Sequence, residues 1–416
     1  MTRPAPAPTT TPGLEDDGVR LRRLVPLLVA LVMITPVATD AYLPGLPRLS
    51  ADLGTTDAGG QLSLTAFMVG ASLGQLFAGA LSDGSGRRRL LVGGTVVFAV
   101  AGVLAALSPS IEVLLAARLL QGLGGACGMV LARAVVLDVT EGPDTARVVT
   151  TMMAIVMLAP ALAPVAGGFL LDVVGWRGLL GLIAAGGLVL AVLAWRRVPE
   201  TLPVHRRQPG GLGSVWRNGR VVLGRLVYRR YLLTQVLAFT AMFTWVSNSA
   251  LVLQEDLGLS PRQYSLVFGA CALGMAGFAF GSVRLFTRTR VGHRALSAAG
   301  LVLSLLGVTT LLVLALLDAP LPLLLVALWV GVAPSSMSMS NAAVLAAEQI
   351  RDYAGTGSAW QGALPFLCGA LVAPVLGALG AATLVPLAAV MLVFLLASGG
   401  MLGLAVRAER ARAATA

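Results

Sequence analysis

The 416-residue sequence has no lysine, two histidines and three cysteines. Each shortage removes a class of chemistry. Without lysine there is no Walker-type GxxxxGK[ST] loop, so nucleotide hydrolysis has no phosphate cradle of that kind. The histidines, His205 and His293, fall in basic loops with no nucleophile or metal constellation beside them, which argues against a membrane-bound enzyme. Cys127, Cys271 and Cys368 are isolated within apolar runs; they make neither a metal-ligand spacing nor a disulfide framework and read as small buried side chains. Charge is scarce as well, at 12% of residues, while 57% are hydrophobic and the mean hydropathy is +0.86. Soluble domains are apolar over only about half their residues, so the chain reads as an integral membrane protein. Its net charge of +11 does not point to nucleic acid, because no soluble stretch is long enough to hold a binding fold.

What is abundant is the apolar run of about 20 residues, enough to cross roughly 30 Å of hydrocarbon as a helix. Twelve are expected: Leu24–Leu43, Gly60–Leu81, Leu90–Leu107, Val113–Val136, Thr150–Leu171 and Leu179–Trp195, then Tyr231–Leu253, Tyr264–Phe286, Leu296–Leu317, Pro322–Ala346, Thr356–Leu379 and Val385–Leu404. The first lacks a small-residue cleavage site and carries Asp40, so it reads as a retained helix rather than a signal peptide. Met1–Gly18 is rich in Pro and Thr and is expected to be disordered. All thirty basic residues are Arg. Only Arg48, Arg177 and Arg262 fall in loops of one parity, whereas Arg20, Arg22, Arg23, Arg87–Arg89, Arg147, Arg196–Arg230, Arg284–Arg294, Arg351 and the tail fall in the other. Arg excess marks the cytoplasmic side, which places both termini in the cytoplasm and the protein in the cytoplasmic (inner) membrane.

The basic stretch Arg196–Arg230 divides the runs six and six. The expected fold is all-α: a tail (1–20), a six-helix bundle (21–197), a linker (198–230), a second six-helix bundle (231–405) and a tail (406–416). Within the linker, Ser214–Arg230 alternates apolar and Arg positions at helical spacing, as in an amphipathic helix on a membrane face; a solvated linker is the alternative. The halves repeat. Asp52-Leu53-Gly54 and Asp256-Leu257-Gly258 are 204 residues apart, and Gly86-Arg87 and Gly292-His293-Arg294 are 206 apart. Parallel duplicated bundles holding substrate between them near the midplane are an architecture of secondary transporters.

Among the charges inside apolar runs, Asp40 and Arg118 carry the reading. A charge in hydrocarbon is costly and persists where it faces a polar cavity or does work. A carboxyl in low dielectric favours its neutral form and a nearby cation favours the ionised one, so Asp40 is a candidate for proton exchange if Arg118 lies beside it, a proximity that only a family resemblance implies. The plainer alternatives are a helix cap before Pro44 or a static ion pair.

Four motifs resemble those of the major facilitator superfamily. Gly79-Ala-Leu-Ser-Asp83-Gly-Ser-Gly86-Arg87-Arg88 is similar to its loop signature between the second and third helices, and Arg118-Leu-Leu-Gln121-Gly122-Leu-Gly124 to its fourth-helix motif. Ala159-Pro160-Ala-Leu-Ala-Pro164-Val-Ala-Gly167-Gly168 resembles the fifth-helix antiporter motif, and Asp40-Ala-Tyr42-Leu-Pro44-Gly-Leu-Pro47 the first-helix motif of drug/proton antiporters. Thr35–Pro47 together with Ala354–Ala359 looks most like the bicyclomycin/chloramphenicol-resistance (Bcr/CflA) branch. The resemblance spans about Leu24 to Leu404 and implies proton-driven export of a drug-like compound. Gly84 stands where the superfamily often has a basic residue, and Val32 where some relatives carry a second acid.

These resemblances assign expected roles. Asp40 and Arg118 would couple protons, with the proton gradient as energy source and no cofactor or metal. Gly79, Asp83, Gly86, Arg87 and Arg88 would form a gate where the bundles meet, or serve simple topology. Pro160, Pro164, Gly167 and Gly168 would form a rigid bend, or merely pack. For the ligand pocket the polar and aromatic residues at mid-depth are Tyr42, Gln61, Phe67, Phe243, Trp245, Asn248, Trp360 and Gln361, a mainly apolar set with a few orienting groups. Ser335–Ser340 could add adaptable surface or pack helices. The expected partners are a small amphiphile, protons and the bilayer, without nucleic acid, and the chain is expected to act as a monomer. A sugar, amino-acid or siderophore exporter on the same fold is the alternative; a transport-dead receptor or scaffold would be expected to lose the intramembrane charges.

Overall fold

A computed structural model describes residues 14–140, 145, 148–149, 151–152, 155–156, 158–207, 212–378 and 383–415. In the first half the elements are α1 (Leu14–Asp40), a 3-10 turn (Leu43–Gly45), α2 (Leu46–Asp52), α3 (Asp57–Ser85), α4 (Arg87–Ala106), α5 (Ile111–Val139) and α6 (Ala159–Arg197). After the linker helix α7 (Leu212–Gly224) come α8 (Leu226–Leu251), extended by a π turn over Val252–Asp256, then α9 (Pro261–Arg288), α10 (His293–Leu316), α11 (Leu321–Val332), α12 (Ser335–Glu348), α13 (Ala354–Ala378) and α14 (Leu384–Thr415). Among the described residues ten helical segments are long and apolar enough to cross a membrane. One of them, α6, holds the end of the fifth expected span and all of the sixth, joined at Gly175, whose φ of 65° bends the chain where only glycine is unstrained.

Several boundaries differ from expectation, each for a local reason. The first helix begins at Leu14, inside the stretch expected to be disordered; residues 1–13 lie outside the described residues. It ends at Asp40 rather than Leu43, since Pro44 and Pro47 cannot donate to a continuing helix, and the chain restarts as the 3-10 turn and α2. The tenth span is two helices, α11 and α12, because Pro334 interrupts it. The amphipathic segment expected over Ser214–Arg230 is shorter: extended backbone at Arg225 (ψ 106°) ends it, and Leu226–Arg230 starts α8. The last helix runs through the expected tail to Thr415. The start of the fifth span, near Thr150, lies largely outside the described residues.

Within the first half α3 packs on α5, and α4 on α5 and α6; within the second α8 packs on α12 and α14, and α10 on α11. The close α3–α5 crossing needs glycine on both sides: a Cβ at Gly122 would strike the Phe67 carbonyl, and one at Gly70 the Leu119 carbonyl. The halves meet along α3–α13 and α6–α9.

The duplication read from the sequence has a structural counterpart. Gly54 and Gly258 both hold positive φ, 59° and 70°. Each precedes an N-cap hydroxyl, Thr56 for α3 and Ser260 for α9. Asp52 accepts from Trp176 Nε1 (2.8 Å), near the start of the sixth span, and Asp256 accepts from Leu384 N (3.0 Å), at the start of the twelfth. The same carboxylate ties the same pair of elements in each half.

Candidate functional site

Arg118 is fully buried on α5, and its guanidinium lies 4.4 Å from the ring centres of both Tyr42 and Phe67. Nη1 donates to Gln121 Oε1 (2.7 Å) and Nη2 to the Ala38 carbonyl (3.0 Å). That carbonyl is among the last four of α1, which lack intrahelical partners. A cation there satisfies it and complements the helix dipole. The expected partnership with Asp40 is therefore corrected: no Arg118–Asp40 ion pair forms, because the guanidinium is spent on a helix C-terminus and two aromatic faces. Asp40, two residues beyond Ala38, is 7% exposed and, among the described residues, makes neither a hydrogen bond nor an ion pair.

What Asp40 faces is a cavity of about 200 Å³ between the halves. Thr35, Pro36 and Thr39 of α1, Met68 of α3, Met129 of α5 and Pro160 of α6 line one side. The other is built by Phe239, Met242, Phe243, Trp245 and Val246 of α8, Phe268, Cys271, Ala272 and Met275 of α9, Val332 and Phe366. Phe239 stacks with Phe243 (5.8 Å between centres) and with Phe366 (5.6 Å), and Trp245 with Phe268 (6.3 Å). The wall is aromatic and thioether, with Asp40 as its one carboxylate. Such a wall adapts to varied apolar shapes.

Of the eight residues expected in the pocket, Phe243 and Trp245 line this cavity. The other six act elsewhere, a correction to the expected list. Tyr42 and Phe67 enclose Arg118, with the Tyr42 hydroxyl on Ser63 Oγ (3.1 Å). Gln61 Nε2 donates to Asn248 Oδ1 (2.8 Å) and joins the two halves. Trp360 packs against Gly219 of the linker helix, and Gln361 Nε2 bonds the Ala343 carbonyl. Mid-depth sequence position gave the radial direction of these side chains no constraint. Phe239, missed in the sequence, stands four residues before Phe243 and shares its face. The methionines Met68, Met129, Met242 and Met275 carried no such signal. Ser335–Ser340 contributes packing, with Ser336 Oγ on the Met275 carbonyl (2.6 Å) and Ser338 Oγ by Ser297.

The loop motif forms a charge network at the Arg-rich end. Arg87 reaches Asp83 (2.6 Å) and Asp138 (3.2 Å), its backbone N–H donates to Glu200 (2.8 Å), and Arg88 Nη2 donates to the Trp195 carbonyl (2.6 Å). Thr201 adds a bond to Asp138 (2.9 Å), and Arg207 pairs with Glu200 at 3.6 Å. Every described partner belongs to the first half or the linker. Among the described residues the network thus binds α3, α4, α5 and the exit of α6 together and makes no bond to the second bundle, which differs from its expected place at the bundle junction. Gly86 has φ 95° and a Cβ there would meet the Glu200 carboxylate; Gly79 has nothing nearer than Val130 Cγ1 at 3.9 Å, so its role in the motif has no steric basis here.

In α6 the two motif glycines face different neighbours. A Cβ at Gly167 would strike the Ala41 carbonyl at the α1 break, and one at Gly168 would strike Ser265 Oγ of α9 in the other half. Pro160 lines the cavity and Pro164 lies one turn on, inside α6. At the Arg-poor end Asp172 bridges Arg48 (3.2 Å) and Arg262 (3.4 Å) of the opposite half, and Gln254 Nε2 donates to the Pro44 carbonyl (3.2 Å).

Two duplicated bundles around a midplane cavity match a known family: the Major Facilitator Superfamily profile fits residues 28–373. The chain belongs to the Major Facilitator Superfamily. It is 32% identical over 369 residues to the MFS-type transporter YdgK of Bacillus subtilis (strain 168), over 88% of this chain and 91% of that one. It is 30% identical over 251 residues to the multidrug resistance protein MdtL of Shigella flexneri serotype 5b (strain 8401), over 60% of this chain and 63% of MdtL, less than two thirds of that relative. Among solved structures it resembles a D-xylose-proton symporter (TM-score 0.71, 16% identity, covering 91% of this chain and 97% of that one). A bacterial homolog of the human lysosomal transporter Spinster gives a TM-score of 0.68 at 16% identity, covering 94% and 97%. At such identities these two show the fold alone. This superfamily member is a multi-pass membrane transporter and not an enzyme.

Proposed function

We propose that this transporter exports an amphiphilic, drug-like compound in exchange for protons, as a member of the bicyclomycin/chloramphenicol-resistance branch. The observation that carries the reading is Asp40: one carboxylate, unpaired by any described residue, opening onto a cavity of aromatic and methionine side chains. Cargo and proton compete for that group. With the cavity open to the Arg-rich side, taken as the cytoplasm, ionised Asp40 admits cargo. With it open to the other side, a proton on Asp40 weakens cargo binding and favours release. Return of the protonated carrier is drawn inward by roughly 2.3 kcal/mol per charge for each 100 mV of membrane potential. The proton gradient is the energy source and no cofactor is needed. The protein sits in the cytoplasmic membrane with both termini inside and works as a monomer. Arg118 supports the cycle from behind, by holding the α1 terminus that presents Asp40.

The name of the relative MdtL, a multidrug resistance protein, supports drug export. A sugar, amino acid or siderophore on the same fold is less well served. Polyhydroxy cargo requires many hydrogen-bonding groups, whereas this wall offers Thr35, Thr39 and Asp40. The cavity volume of about 200 Å³ lies below the roughly 300–1,000 Å³ of drug-sized sites, so cargo must widen this state or be small. Efflux from everted vesicles carrying the protein, across an antibiotic panel with and without a proton uncoupler, tests the proposal. Uphill movement is expected to stop with uncoupler and in Asp40→Asn, with the variant still inserted. Efflux that survives either treatment rejects proton coupling through Asp40.

A further inference from the structure

Three sulfur-bearing side chains of the second half line the central cavity: Met242 of α8 and Cys271 and Met275 of α9. Two contacts set the register of these antiparallel helices. The Tyr264 hydroxyl meets Ser249 Oγ at 3.1 Å, and four residues nearer the Arg-rich end on each helix Phe268 stacks with Trp245 at 6.3 Å. Three residues further on each helix come Cys271 and Met242, which therefore stand at one level on facing parts of the wall. Met275 follows Cys271 by four residues and shares its helix face. Helical side chains lean toward the N-terminus of their own helix. That tilt sends the Met275 thioether back toward Cys271 and the Met242 thioether toward the level between them. The spacing of cysteines in the sequence gave no sign of this grouping, because its donors come from two helices and two of the three are methionines.

A second feature of the same cavity calls for a cation. Asp40 is 7% exposed, makes neither a hydrogen bond nor an ion pair among the described residues, and lines the cavity from α1. Tyr264 lies within charge–charge reach of both Asp40 and Cys271, so carboxylate and thiol serve one space. The other hydroxyls of the wall are Thr35 and Thr39, and Thr39 already donates to the Thr35 carbonyl (2.8 Å). A hard ion such as Ca²⁺ or Mg²⁺ requires about six oxygen ligands, which this wall does not offer. Thiolate and thioether sulfur select soft ions such as Cu(I). We propose that Met242, Cys271 and Met275 form a binding site for a soft monovalent metal ion, Cu(I) or Ag(I), with Asp40 supplying the charge that draws it into an apolar cavity. On binding, the Cys271 S–H bond breaks and an S–metal bond forms. The proton leaves to water and no electron moves, so one positive charge replaces another and the net charge of the cavity is unchanged. The site does not depend on which amphiphile the transporter exports.

Silver nitrate titrated into the full-length protein in nanodiscs, in chloride-free buffer, tests the assignment. Cys127 and Cys368, which are not part of the cavity wall, are replaced by Ala so that Cys271 is the only thiol. Binding of one Ag(I) with release of one proton is expected, with more than one sulfur around silver in its K-edge absorption and no binding of Ca²⁺ or Mg²⁺. Met242→Leu and Met275→Leu nearly conserve the volume of the wall, and both are expected to melt as the parent does without silver. Each is expected to weaken Ag(I) by at least the roughly tenfold that loss of an outer-shell partner costs a metal site. Cys271→Ala is expected to abolish binding, and Asp40→Asn to weaken it without changing the sulfur shell. Unchanged affinity in both Leu variants overturns the site, since that marks a lone thiol. Silver binding that survives Cys271→Ala overturns it as well, and unchanged affinity in Asp40→Asn removes the carboxylate from it. Export is read separately through uncoupler-sensitive efflux, so the two readings fail independently.

Discussion

The side chain that most changes its meaning in three dimensions is Arg118. Its type and its place in an apolar run mark it as functional, yet its donors serve the Ala38 carbonyl and Gln121, and both its faces are covered by rings. In the proposed cycle its place is to hold the end of α1, two residues before Asp40, through the Ala38 carbonyl. Glycines divide in the same way. Gly86 combines a left-handed backbone with no room for a Cβ, whereas Gly79 has room. Gly86→Ala is expected to cost about 1–3 kcal/mol of stability and Gly79→Ala almost nothing. Thermal unfolding of the purified variants, followed by size-exclusion fluorescence, checks this; equal melting of the two would refute the steric account of the loop motif.

At the scale of elements, the linker helix is more than a tether. Val215 and Val222 of α7 are buried, Gly219 lies against the Trp360 indole, and Trp216 meets Trp360 edge to face at 6.2 Å. Trp360 belongs to the second half, and the apolar cluster around it includes Leu76 of the first. The helix is therefore docked over the seam of α3 and α13. Just beyond its end, Arg225 bonds the Gln349 carbonyl and pairs with Asp352 at 2.9 Å, which holds the Asp352 carboxyl below its usual range. Gly219→Val would drive a branched side chain into the indole. It is expected to release α7 and raise its trypsin cleavage at Arg217 and Arg220 several-fold while leaving membrane insertion intact. Unchanged cleavage would mean that the docking contributes little. The amphipathic pattern was legible in the sequence; the break at Arg225 was not, since nothing in SVWRNGRVVLGRLVYRR marks one Arg as extended.

For the whole molecule, cross-half contacts concentrate on α3–α13 and on the Arg-poor end, where Gln61–Asn248, Gln254–Pro44 and the Arg48–Asp172–Arg262 bridge lie. Alternating access requires that this end separate. A disulfide between Gln61→Cys and Asn248→Cys, with Cys127, Cys271 and Cys368 replaced by Ala, is expected to form under mild oxidant and to stop transport, with recovery in reductant. Transport that continues through the cross-link would show that these two positions need not part. The charge network around Arg87 makes no such demand, because its described partners lie in the first half and the linker.

The sequence by itself determined the membrane class, the two-fold repetition and the family, because these rest on periodic hydropathy and on local motifs whose chemistry is contained in a few consecutive residues. It also placed Asp40 as a charge that must have a purpose. Tertiary structure alone decided what each group faces: that Arg118 caps a helix instead of pairing with Asp40, that Phe239 and four methionines line the cavity while Trp360 and Gln361 do not, and that the described partners of the loop network lie in the first half and the linker. The reason is geometric. In hydrocarbon nearly every side chain around a helix is apolar, so the pattern that tells core from solvent in water is weak, and the inward direction is set by which helices meet.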